Sequence, residues 1–151
     1  NCGDVGWVSD RTGYRYETID PLTNLSWPAI PALFTQLANG VAAQAGFPEF
    51  HPDACLINRY AMGSKMGLHQ DRDEQDFAQP IVSVSLGLPI NFNFGDSTRT
   101  SPTTKTELRH GDVVVFGGQS RLAFHGVGTL RRGQHSLSGL YRFNLTFRRA
   151  G

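Results

Sequence analysis

The densest chemical signal in the chain is Leu68-His69-Gln70-Asp71. In an extended strand the side chains of residues i and i+2 leave the same face, so His69 and Asp71 converge while Gln70 looks away. One imidazole and one carboxylate make half of a metal site, and a third ligand has to come from elsewhere. Of the other histidines, His51 precedes a proline in a loop, His110 sits in a His-Gly-Asp turn, and His135 lies in a polar segment. His125, within Ala123–Val127, is flanked by strand formers and is carried by the kind of rigid element that suits a ligand. Two His and one Asp form the facial triad of non-haem Fe(II) oxygenases, which leaves positions open for a co-substrate and oxygen. Zinc hydrolases use the same ligand types, and a lone His-x-Asp also arises by chance, so the ligands alone leave the metal open.

The run Tyr141-Arg142-Phe143-Asn144-Leu145-Thr146-Phe147-Arg148 alternates residue by residue. Arg142, Asn144, Thr146 and Arg148 share one face of the strand, and the four apolar residues share the other. In a half-buried strand the polar face would meet water. Asn58 and Tyr60, two apart in Leu56-Ile57-Asn58-Arg59-Tyr60, repeat the pattern on a second strand, which points instead to a polar pocket inside the fold. An arginine presents a planar fork matched to a carboxylate. A small diacid gripped by Arg142 and Arg148 and oriented by Asn58, Tyr60 and Asn144 is chemically coherent.

These residues need a scaffold, and the rest of the chain supplies one. With 151 residues there is room for a single domain. Apolar residues at 39% permit a core, and 17 Gly with 8 Pro suit a turn-rich β protein. Residues 1–28 read as loops and short strands. Pro28 to Ala45 reads as a helix, with proline at its start, glycine after its end and an apolar stripe of Leu33, Phe34, Leu37 and Val41. Strands are expected at Ala54–Tyr60, Lys65–Gln70, Ile81–Gly87, Ile90–Phe94, Thr104–Leu108, Asp112–Phe116, Ala123–Val127 and Leu140–Phe147, with a surface loop at Gly95–Thr104. Short strands after one helix predict a two-sheet sandwich or jelly roll.

The formal net charge of +1 excludes a protein that grips nucleic acid by bulk charge. It hides an asymmetry: residues 1–98 hold 5 Lys/Arg against 11 Asp/Glu, and residues 99–151 hold 9 against 2. Cys2 and Cys55 are too few for a disulfide scaffold or a four-cysteine zinc site and suit a reducing compartment. No apolar run approaches the roughly 20 residues of a membrane span. A start at Asn1 rather than Met suggests a longer natural N-terminus.

INRY (57–60), LHQDRDE (68–74), PIVSVSLGLP (80–89), HGDVVVFGG (110–118), SRLAFHG (120–126) and YRFNLTFR (141–148) closely resemble the AlkB family of Fe(II)- and 2-oxoglutarate-dependent dioxygenases, which repair alkylated nucleic-acid bases. The resemblance spans nearly the whole chain. It implies a mainly β double-stranded β-helix (jelly roll), with residues 1–50 forming a nucleotide-recognition lid and supporting helix and residues 51–151 the core of one domain. It implies His69, Asp71 and His125 as iron ligands, and Arg142 paired with the distal carboxylate of 2-oxoglutarate. Arg148 would lie near the chelating end, with Asn58, Tyr60 and Asn144 as further contacts to this co-substrate. Trp7 matches an aromatic that stacks on the damaged base opposite His69. Tyr14 resembles a residue touching the nucleic-acid backbone, Asp73 one reading the base edge, and Arg99 a groove arginine.

The implied activity is oxidative demethylation of bases of the N1-methyladenine and N3-methylcytosine type, in single-stranded or flipped-base DNA or in RNA. The alkyl group would be hydroxylated with Fe(II), 2-oxoglutarate and O2, ascorbate supporting the reaction in vitro, and an aldehyde released. The enzyme is expected to be cytoplasmic and monomeric, without membrane attachment. Two positions depart from the family pattern: Phe116 stands in place of Trp, and Met62-Gly63 in place of Pro-Gly. Two rival readings share part of these features. One is a 2-oxoglutarate dioxygenase acting on protein or small molecules, which Trp7, Tyr14, Asp73 and Arg99 disfavour. The other is a non-catalytic β-sandwich holding a structural metal, which the open triad and two same-face arginines disfavour.

Overall fold

Period-two alternation and β-branched runs dominate the chain after Pro52, and strands follow from them. A computed structural model describes all residues, 1–151, with β1 (Cys2–Gly3), β2 (Gly6–Asp10), β3 (Gly13–Glu17), α1 (Ala32–Gln44), β4 (Ala54–Tyr60), β5 (Met66–His69) and β6 (Ile81–Gly87). There follow β7 (Ile90–Phe94), β8 (Thr104–Leu108), β9 (Val113–Phe116), β10 (His125–Val127) and β11 (Arg142–Arg148), with a 3-10 turn at Gly118–Ser120. The strands form a five-stranded sheet in the order β1-β4-β11-β6-β9 and a four-stranded sheet in the order β5-β10-β7-β8, with β2–β3 a separate hairpin. All the pairings are antiparallel, and the architecture is the jelly roll expected from sequence.

The boundaries shift where local chemistry overrides periodicity. The helix begins at Ala32 rather than Pro28, because Pro31 biases Ile30 away from helical backbone and itself takes the N-cap. Three strands start later than expected, at Val113, His125 and Arg142, where turns at residues 109–112, 118–121 and 138–141 hold the preceding backbone. The strand expected over Lys65–Gln70 is shorter at both ends, Met66–His69.

The two faces of the large sheet explain the site. Outward from it, Val82, Val84, Leu145 and Phe147 pack with Phe50, Cys2, Cys55 and the Ala38 and Ala42 face of α1. Phe34 meets Phe147 edge-on at 6.3 Å. Burying Phe147 and Val82 completely contributes roughly 1.5–3 kcal/mol each. Inward, the same strands present Asn58 and Tyr60, Ser83 and Ser85, and Arg142, Asn144, Thr146 and Arg148. A second apolar cluster of Tyr60, Leu88, Ile90 and Leu130 closes one end of the space between the sheets. At that end Gly87 turns with φ +88°, and a side chain there would strike Ser138 Oγ and the Tyr141 carbonyl.

Candidate metal and co-substrate site

Pairing of β5 with β10 sets His69 directly opposite His125, and their rings lie 4.4 Å apart at 53°. Asp71, just past the end of β5, completes the cluster, and ligand atoms of all three lie within 4.8 Å of one another. Asp71 Oδ1 is 3.9 Å from His69 Nε2 and Asp71 Oδ2 is 3.8 Å from His125 Nε2. His69 Nδ1 lies 3.0 Å from the Gly67 carbonyl, and His125 Nδ1 3.0 Å from that of Ala123. A carbonyl only accepts, so each Nδ1 carries the proton and each Nε2 offers a lone pair toward Asp71. Burial lowers the His125 pKa against the opposing pull of Asp71. Asp71 Oδ2 is buried without a hydrogen-bond partner.

Charge around Asp71 is arranged in depth. Burial works to raise its pKa, and the charge and hydrogen bond of Arg148 lead the opposing effects that hold the carboxyl below its ordinary value. Arg148 Nη2 donates to Asp71 Oδ1 at 3.0 Å. The Arg148 guanidinium is buried, and Asp71, Tyr16 and Glu74 more than offset that burial to raise its pKa. Arg142, only 1% exposed, has no acidic hydrogen-bond partner: Nη2 donates to Ser85 Oγ at 2.7 Å, Nη1 reaches the Leu88 carbonyl at 3.4 Å, and Nε bonds to nothing. Burial pulls its pKa down, with Tyr60 and Asp112 opposing.

Each of the twelve residues given a metal, co-substrate or substrate role in the sequence lines one cavity of about 580 Å³. Register places Asn58 opposite Asn144 and Tyr60 opposite Arg142. The Asn144 amide donates to Ser83 Oγ at 2.9 Å and accepts from Thr146 Oγ1 at 2.8 Å. Trp7 and Tyr14, on one face of the β2–β3 hairpin, stack at 5.3 Å and 12°. Asp73 accepts from Trp7 Nε1 at 2.8 Å, and Arg99 lies 5.9 Å from the Phe124 ring centre. Phe116 packs against His125 at 4.8 Å within the cavity wall, whereas Met62 is exposed and outside it.

Gln70 corrects one expectation. It lines the cavity and donates to the Leu122 carbonyl at 2.6 Å, because β5 ends at His69 and strict alternation ends with it. Sequence reasoning also missed Glu74, Arg121 and Tyr16. A run of Asp71-Arg72-Asp73-Glu74 reads as a solvated loop, yet Glu74 is 6% and Arg121 2% exposed, and they pair at 2.9 Å. The available signal was the separation of Glu74 from Asp71 by three residues within a loop that must already turn inward. His110 and His135 meet at 4.6 Å outside the cavity.

The arrangement can hold a cation between two imidazoles and a carboxylate, in the same cavity as a guanidinium that has no acidic partner. The 2OG-Fe(II) oxygenase superfamily model matches residues 1–148. The alpha-ketoglutarate-dependent dioxygenase AlkB of Escherichia coli (strain K12) is 56% identical over 151 residues, covering 100% of this chain and 70% of that protein. The DNA N(6)-methyladenine demethylase ALKBH1C of Arabidopsis thaliana is 33% identical over 173 residues, covering 97% of this chain and 38% of its own. The solved structure of OsALKBH1 matches with a TM-score of 0.79 at 32% identity, over 88% of this chain and 72% of that one. With the His-Asp-His cluster and jelly roll in place, these matches put the chain in the AlkB family of the 2OG-Fe(II) oxygenase superfamily.

Proposed function

We propose that this protein is an Fe(II)- and 2-oxoglutarate-dependent dioxygenase that removes alkyl groups from bases in DNA. The observation that carries the reading is one cavity holding both the His69–Asp71–His125 cluster and the unpaired Arg142 cation. The donor set fits Fe(II): two neutral imidazole Nε2 lone pairs, and a carboxylate oxygen that is buried and unpartnered. It also fits a dicarboxylate, since Arg142 keeps Nε unpartnered in a pocket that Asn58, Tyr60 and Asn144 share. Iron held by His69, Asp71 and His125 would, with 2-oxoglutarate and O2, supply the oxidation that hydroxylates the alkyl carbon, whose loss as an aldehyde would leave the repaired base.

The residues of the chain bind, orient and exclude water. Arg142 neutralises the far carboxylate of 2-oxoglutarate, with Asn58, Tyr60 and Asn144 orienting it. Arg148 steadies Asp71 and adds positive charge near the chelating end. Residues 1–50 serve as recognition lid and supporting helix, and residues 51–151 as the core of one domain. Trp7 stacks on the damaged base opposite His69, Tyr14 and Arg99 meet the backbone, and Asp73 reads the base edge. A paired base cannot reach such a cavity, so the target is single-stranded or flipped, in DNA or RNA. The protein works as a monomer in the cytoplasm, and no helix is long and apolar enough to cross a membrane.

Purified protein given Fe(II), ascorbate and 2-oxoglutarate is expected to form succinate faster when methylated single-stranded DNA is added. Parallel reactions with duplex DNA and RNA rank the substrates. No stimulation by any methylated nucleic acid would overturn the reading.

A further inference from the structure

Glu74 is a buried carboxylate without a role in the scheme above, and its two oxygens are engaged differently. Oε2 accepts from Arg121 Nη2 at 2.9 Å. Oε1 accepts from the hydroxyl of Tyr16, on β3, at 2.6 Å, while Arg148 Nε stands 3.4 Å away without hydrogen-bond geometry. Both guanidiniums lead on to Asp71: Arg148 Nη2 donates to its Oδ1 at 3.0 Å, and Arg121 Nη1 donates to its main-chain carbonyl at 2.6 Å. Tyr16 lies opposite Trp7 in the hairpin register, so the same face of β2–β3 carries the cavity aromatics and the Glu74 contact.

We propose that Glu74 is a positioning residue that links the seating of the β2–β3 hairpin to the orientation of the Asp71 carboxylate. With the hairpin seated, Tyr16 occupies Oε1, and Arg148 turns its Nη2 to Asp71 while its Nε stays unbonded. With the hairpin lifted, Oε1 is free for the buried Nε of Arg148, and the guanidinium is drawn from Asp71 toward Glu74. The element therefore has two discrete arrangements, which physical coupling requires. Linkage is reciprocal: an ion held by Asp71 favours the seated hairpin by the factor by which seating favours the ion. The proposal rests on the metal-site reading above.

Co(II) titration of the metal-free protein, followed by visible absorption, tests it together with hydrogen exchange over residues 6–17. In the wild type, Co(II) is expected to slow exchange in the hairpin at least about 5-fold. Tyr16→Phe, which removes one hydroxyl, is expected to bind Co(II) about 5–10-fold more weakly and to lose that slowing. Glu74→Gln is expected to lose it too. Unchanged Co(II) affinity in Tyr16→Phe overturns the linkage alone. So does a Glu74→Gln variant with a lower melting temperature but intact Co(II)-dependent protection, which marks Glu74 as structural support only. A wild type that binds no Co(II) overturns the metal-site reading as well.

Discussion

Gly126→Ala probes how tightly the metal cluster depends on backbone approach. Gly126 follows His125 in β10 and has no left-handed φ, so its demand is for space rather than conformational freedom. A Cβ at this position would stand 2.7 Å from the Met66 carbonyl oxygen and 2.8 Å from that of Gly67, both main-chain atoms of β5. Ordinary contact begins near 3.4 Å, so β5 and β10 must part by about 0.7 Å in an interior that yields little. These strands carry His69 and His125 as direct partners, and the Gly67 carbonyl orients the His69 ring.

Metal sites tolerate distance errors of about 0.2 Å, roughly a third of that displacement. Co(II) affinity is therefore expected to fall by about 10–100-fold, or about 1.4–2.7 kcal/mol. Overpacking costs a further 1–3 kcal/mol of stability, roughly, which calorimetry reads as a melting point lower by about 2–4 °C per kcal/mol. A variant with wild-type Co(II) affinity would refute the argument that strand spacing sets the cluster, even if its melting point fell.

Arg142→Met keeps most of the side-chain volume but removes a buried cation that lacks an acidic partner. Its ligand-free melting temperature should match or exceed the wild type's, by up to about 1–4 kcal/mol of added stability, while 2-oxoglutarate turnover is lost; a clear drop in melting temperature refutes the charge argument. Trp7→Ala should raise KM for methylated single-stranded DNA by about 5–150-fold, the equivalent of roughly 1–3 kcal/mol of base stacking. Its succinate formation without DNA should stay unchanged, and an unaltered KM would exclude Trp7 from the substrate. Cys55 is pushed up to about 12 by burial and by its cross-strand neighbour Cys2. Because the thiolate is the reactive form, iodoacetamide at pH 8 should label neither buried thiol in the native protein and both in denaturant, as mass spectrometry would show.

Much of the site was legible because strand geometry converts spacing into facing. Arg142, Asn144, Thr146 and Arg148 had to share a face once β11 was extended, and a second polar pair at Asn58 and Tyr60 marked that face as a cavity wall. Which partners these side chains take was not legible. Local pattern cannot tell that Asp73 receives the Trp7 indole from 66 residues away, or that Glu74 meets Arg121 at a separation of 47. The same limit misplaced Gln70, because alternation holds only while the strand lasts. Helix and strand ends failed for a different reason: Pro31 and the turns before β9, β10 and β11 act through backbone restriction, which apolar periodicity does not register.

The charge asymmetry along the chain becomes a property of the cavity once the fold closes. The buried charged groups are Asp71 and Glu74 from the acidic part and Arg121, Arg142 and Arg148 from the basic part. Topology brings them together, since β11 lies between β4 and β6 in the large sheet while the 71–74 loop follows β5. Two arginines pair with the two acids, and Arg142 remains with a hydroxyl and a distant carbonyl. A buried cation without a counter-charge is costly, and the fold bears that cost in the absence of ligand. A dicarboxylate at Arg142 would bring the negative charge which that point lacks, and a divalent cation would take up the Asp71 oxygen that Arg148 leaves unpartnered. The near-neutral total thus says little about recognition, whereas the position of one uncompensated arginine says what kind of molecule the cavity is built to receive.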